Sequence, residues 1–141
     1  MEFIPGSHFI PIPVYGKIPT GTPRELFDVY ADGYIYLPYE VVSEEDIAFK
    51  VIDNDISWDE VGEGDYIIVA TYLQPYDGAM VLTRVDMSSI TVKRLEYRDD
   101  KEILLPAEDD YDPVEFSKEE VSERLEIIGV VKGIMKPKRW N

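Results

Sequence analysis

The chain has 141 residues, no cysteine and one histidine, and it carries 14 Lys and Arg against 29 Asp and Glu for a net charge of −15. Disulfides, thiol nucleophiles, zinc–thiolate sites and multi-histidine metal centres are therefore excluded, and the negative field repels phosphate backbones, so direct nucleic-acid binding by this chain is not expected. This length makes one domain able to bury a sizeable core. No apolar run approaches the about 18 residues of a membrane span, and no signal peptide is visible. The expected compartment is the cytosol.

Ten Pro, nine Gly and ten Tyr, with short Val- and Ile-rich runs between turn residues, predict a mostly β protein with at most one or two short helices. Residues 1–8 read as an arm or linker, with His8 an exposed surface residue. Residues 9–15 form an apolar extended run in which Pro11 and Pro13 remove backbone donors, which predicts an edge strand. A Gly- and Pro-rich segment, residues 16–23, follows and reads on its own as a turn. Residues 34–37 predict a short strand stopped by Pro38, and Ser43-Glu-Glu-Asp predicts a helix or turn entry capped by Ser43.

The run 48–52 leads into an acidic turn, Asp53 to Asp59. Alternating acids there suggest a calcium loop, but an EF-hand needs Gly at its sixth position and Glu at its twelfth. Those positions hold Trp58 and Gly64, so no metal is expected. Runs at 65–72, 79–85, 90–97 and 102–106 predict successive strands of an antiparallel meander or small barrel. In the third of these, Lys93 shares a face with Thr91 and Leu95. Residues 108–113 read as an exposed acidic loop, 116–125 as a short helix, and 125–135 as the last strand. Lys136-Pro-Lys-Arg reads as a basic tail, giving a domain over 9–136 with an arm before it and a tail over 137–141.

Three stretches in this order, Ala48 to Ser57, Gly62 to Ala70 and Thr91-Val-Lys-Arg-Leu, resemble the self-cleaving domain of the S24 serine–lysine peptidases, the family of LexA, the phage CI repressors and UmuD. The resemblance implies a β-barrel-type fold of antiparallel sheets like that of LexA and signal peptidase. It puts Lys93 at the general-base position and Thr20–Gly21 at the cleavage site, in Gly16-Lys-Ile-Pro-Thr-Gly-Thr-Pro. The Gly-x-Ser-Met turn that carries the family's nucleophile is matched by Asp53-Asn-Asp-Ile, so Asp55 stands at the serine position. Ser57, two positions on, is the fallback nucleophile.

The chemistry requires a neutral amine to take the hydroxyl proton. A carboxylate beside Lys93 favours the ammonium form instead and removes the base. The implied function is a catalytically inactive LexA/CI-like C-terminal domain that dimerises a transcriptional regulator, with Ile127, Val130 and Ile134 of the last strand as interface candidates. DNA is then reached only through a separate helix-turn-helix domain, and a regulatory protein partner is possible. The alternatives are a self-cleaving peptidase with an altered nucleophile and an acidic protein-binding module. No cofactor is expected.

Overall fold

The structure, a computed structural model, describes residues 8–52, 60–106 and 113–138. Nine strands form one sheet in the order β2-β1-β3-β4-β9-β5-β6-β7-β8. They are β1 (Phe9–Tyr15), β2 (Ala31–Pro38), β3 (Asp46–Lys50), β4 (Tyr66–Ala70), β5 (Met80–Val85), β6 (Thr91–Arg98), β7 (Lys101–Pro106), β8 (Val114–Phe116) and β9 (Leu125–Met135). A 3-10 helix, Arg24–Tyr30, joins β1 to β2, and one α-helix, α1 (Lys118–Arg124), precedes β9. The mostly β class with two short helices is as the composition predicts.

The order differs from a simple meander. Strands β5 to β8 do pair consecutively and antiparallel, but β4 and β5 do not touch as neighbours. Between them lies β9, pairing with β5 along Leu125 to Val130 and with β4 along Val130 to Met135. The last strand is thus central, and it joins two half-sheets that pair with its two ends. One pairing is parallel: β1 with β3 at Val14 and Tyr15.

That short contact also corrects the edge-strand expectation for β1, which lies between β2 and β3. Only its last two residues pair on the β3 side, so Pro11 and Pro13 sit where the strand has a partner on one side alone. Of the helix or turn entry expected at Ser43, the turn is what forms. Ser43 and Asp46 close it, with the Ser43 amide donating to Asp46 Oδ2 at 2.8 Å. Ser117 carries the capping box, because Glu120 reaches back to its amide.

Alternation along the strands sorts the apolar side chains into separate clusters. Ile67 and Val69 join Tyr15, Phe27, Phe49, Leu82 and Val92 in the central cluster, while Ile68 packs with Ile12, Val14 and Ala48 on the opposite face. The third cluster, Val81, Leu95, Leu104, Phe116 and Val130, has α1 residue Val121 packed against it. In a flat sheet β3 and β6, four places apart, would be about 19 Å from each other. Yet Phe49 of β3 and Ile90, just before β6, line one cleft. The sheet is therefore curled, with the central cluster inside the curl.

Gly129 allows the closest approach within it. A Cβ there would lie 2.5 Å from Val69 Cγ1 and 2.7 Å from the Ala70 carbonyl oxygen. Backbone cannot yield as a side-chain tip does, so Gly129→Ala is expected to cost about 1–3 kcal/mol in a denaturation titration. An unchanged midpoint would contradict this packing of β9 against β4.

Candidate functional site

A cleft of about 340 Å³ opens at one end of the curl. Three parts of the chain line it: residues 16–20, the exit of β3 from Phe49 to Ile52, and Ser89 with Ile90 at the entry to β6. Each is a stretch singled out in the sequence or its immediate neighbour.

The first part ends in a tight turn. The Thr22 amide donates to the Pro19 carbonyl at 3.2 Å, which places Thr20 and Gly21 at the two central positions. Gly21 has φ +83, as the third residue of a type II turn requires, and glycine takes it without strain. Pro19 fixes φ just before the turn. The Gly21 amide then donates to the Met87 carbonyl at 2.8 Å, so the turn is docked on the connection between β5 and β6. Thr20 and Gly21 are exposed, Thr22 is buried, and Ile18 packs against the central cluster.

The β5–β6 connection is itself held from behind. Asp86 and Met87 both adopt left-handed conformations, φ 52 and φ 60. The Asp86 amide donates to the Arg124 carbonyl at 2.8 Å, and the Arg124 guanidinium grips the Asp86 carboxylate at 2.9 and 3.0 Å. This bond keeps the Asp86 carboxyl below the usual range. Arg124 also reaches Glu120 and lies over the Phe116 ring. The end of α1 and the Thr20–Gly21 turn therefore meet on one two-residue hinge. Asp86→Asn keeps a residue that tolerates left-handed backbone and removes the charge that Arg124 holds. Trypsin should then cut the exposed Lys17–Ile18 bond several-fold faster than in the parent chain, as mapped by mass spectrometry. An unaltered rate would mean that Asp86 does not steady the loop.

The second part leads into the acidic loop, whose base is clamped. The Gly64 amide donates to the Val51 carbonyl at 2.7 Å, and the Val51 amide to the Asp65 carbonyl at 2.8 Å. Gly64 has φ +93. Asp65, 3% exposed, accepts from the Gly62 amide at 2.8 Å and from Lys136 Nζ at 2.6 Å. Lys136, read in the sequence as part of a basic tail, thus ties the end of β9 to the loop base. Asp53, Asp55, Ser57 and Asp59 lie outside the described residues.

The third part leads to Lys93. It sits on β6 across from Val81 and Pro106, half-buried, on the face that carries the fully buried Leu95. It lies three residues beyond Ile90 and does not itself line the cleft.

Two further groups fix the walls. The Tyr15 hydroxyl donates to Asp28 Oδ1 at 2.8 Å, joining the end of β1 to the 3-10 helix. Burial, then this bond to a carboxylate, push the phenol up to about 12. Arg84 is 1% exposed, salt-bridged to Glu126 at 3.0 Å, with its guanidinium 5.0 Å from the Phe27 ring. Neither Arg84 nor Asp86 stands out in the sequence, because each partner lies about forty residues away and both strands look ordinary.

The cleft is thus bounded by the docked Gly turn, the exit of β3 and the residues just before β6. The model of one family, described as Peptidase S24-like, matches residues 13–132. The chain belongs to that family. Among relatives of this S24-like chain, the LexA repressor of Glaesserella parasuis is 28% identical over 129 residues, covering 92% of this chain and 60% of that protein. The LexA repressor of Stenotrophomonas maltophilia is 30% identical over 129 residues, covering 91% and 59%. That of Thermosipho melanesiensis is 27% identical over 123 residues, covering 86% and 61%. The S24-like chain spans about three fifths of the length of these curated relatives.

Proposed function

We propose that this chain is a catalytically idle LexA-like domain that pairs two copies of a transcriptional regulator. The observation that carries the reading is the aspartate at position 55, where the resemblance expects the serine, in a chain that matches the family over residues 13–132. With a carboxylate in place of the hydroxyl, this reading leaves no nucleophile to attack the Thr20 carbonyl. The docked turn then serves as structure. DNA contact belongs to a separate domain, in keeping with the net charge of −15.

Pairing is assigned to the second half of β9. Past Val130, β9 has a partner strand on the β4 side only, among the described residues. Its other edge along Val131 to Met135 is suited to a second copy, which makes Ile134 the interface residue of choice. Val130 is withdrawn from that role, being 2% exposed inside the third cluster, and Ile127 packs against the same cluster. Joining two copies raises the effective concentration of whatever each carries and multiplies its affinity. Sedimentation should show a dimer at micromolar concentration and a monomer for Ile134→Glu. A natural chain that stays monomeric at high micromolar concentration would refute the pairing role.

A second reading, a self-cleaving domain with an altered nucleophile, draws on the preorganised Pro19–Thr22 turn. It requires Ser57 or Asp55 to act as nucleophile, and scission of the natural chain would establish it.

A further inference from the structure

We infer that the outer edge of β2 is a docking strand for an extended, basic segment of a partner protein. Strand β2 is not a neighbour of β9 in the sheet, and the inference does not depend on the pairing role, although the groove beside β2 shares Lys50, Val51 and Ile52 with the cleft. Strand β2 stands first in the sheet order, and among the described residues no strand pairs with its outer side. An unpaired edge presents a row of amides and carbonyls ready to bond a further strand, and proteins usually blunt it with lysine, proline or a bulge. From Tyr34 to Leu37 this edge has none of these.

Its exposed face is aromatic. Tyr34 is 63% and Tyr36 66% exposed, two residues apart on one face, while Ile35 and Leu37 pack inward against Ile12 and Val14. Pro13 and Pro11 lie across from the two tyrosines, and Phe9, 40% exposed, lies across from Pro38. Tyrosine rings exposed in register give a strand-shaped ligand apolar contact and cation–π sites at alternate residues. The start of β2 opens on a groove of about 600 Å³ in which the carboxylates of Asp32 and Glu63 and the rings of Tyr34 and Tyr66 outnumber one cation, Lys50. Aromatic walls with carboxylates suit a lysine or arginine side chain.

Charge decides between occupants. Between Arg24 and Lys50 there is no lysine or arginine, whereas Glu25, Asp28, Asp32, Glu40, Glu44 and Glu45 are all exposed. An antiparallel pairing of two β2 strands centred on Tyr36 would set Asp32 of one copy directly against Glu40 of the other. Like charges facing across a strand pair destabilise it. A basic extended segment meets no such conflict.

Selection of a random-peptide display library on the full chain tests this. The expected result is a consensus with Lys or Arg at alternate positions. Titration of one selected peptide should show binding weakened roughly tenfold or more by Tyr34→Ser/Tyr36→Ser, and weakened further by salt. Both side chains are exposed, so the double variant keeps its fold, which circular dichroism verifies. A consensus without basic residues, no enrichment, or binding indifferent to the two tyrosines would overturn the inference. So would a dimer of the natural chain that the tyrosine variant abolishes and Ile134→Glu does not, which would make a second copy the occupant.

Discussion

Replacing Asp53 by Gly and Asp55 by Ser together is expected, on the reading proposed above, to give a chain that cuts itself between Thr20 and Gly21. The Thr20–Gly21 turn is docked through the Gly21 amide at 2.8 Å from the Met87 carbonyl, and Val51 is hydrogen-bonded to Gly64 and Asp65. On that reading the serine supplies the hydroxyl that the resemblance expects at position 55, the glycine the residue it expects at 53, and Lys93 the base. A rise of roughly 10²-fold or more in scission rate, the scale of a positioned base, is expected at alkaline pH. Adding Lys93→Ala should abolish it. Adding Thr20→Ala should speed it, because a β-branched residue hinders entry to a tight site. Absence of any cleavage in the serine variant would mean that more than the nucleophile has been lost.

The second large effect concerns stability. Phe27→Ala should lower the unfolding free energy by about 3–5 kcal/mol and the Tm by roughly 10 °C or more. Phe27 is fully buried in the central cluster, and the guanidinium groups of Arg24 and Arg84 each lie 5.0 Å from its ring. Truncation leaves a cavity at the mouth of the curl and strips the buried Arg84 of one of its contacts. Leu26 beside it is 52% exposed, so Leu26→Ala should be nearly neutral. Equal effects from the two would contradict the placement of the 3-10 helix.

Strands were legible where apolar alternation and turn residues coincide. The bounds of β1 and β9 follow directly from residues 9–15 and 125–135. What pairs with what was not legible. That β9 enters between β4 and β5 depends on Gly129 fitting against the Ala70 backbone, and a lone glycine in a strand does not announce its neighbour. The Ser43 and Ser117 segments both carry an acid three residues on, yet only Ser117 caps a helix. After Ser43 the chain runs at once into Ile47, Ala48 and Phe49, whose burial on both faces of the sheet fixes a strand.

In the site, Thr20, Gly21 and Lys93 were found through the family resemblance, since each alone reads as an ordinary turn or strand residue. The turn at Asp86 and Met87 escaped notice because it uses no glycine. Its two left-handed residues are held by Arg124 from another element, and nothing local to the sequence reports that. Lys136 was hidden in the same way, by a partner, Asp65, 71 residues away.

The most direct test is the intact mass of the natural chain after prolonged incubation at about pH 10, near the ordinary lysine pKa. The Tyr15 phenol, pushed up to about 12, still donates to Asp28 there, so the tie between β1 and the 3-10 helix persists. One undivided mass of 141 residues is the predicted outcome. Fragments 1–20 and 21–141, vanishing in Lys93→Ala, would show a working nucleophile and contradict the account.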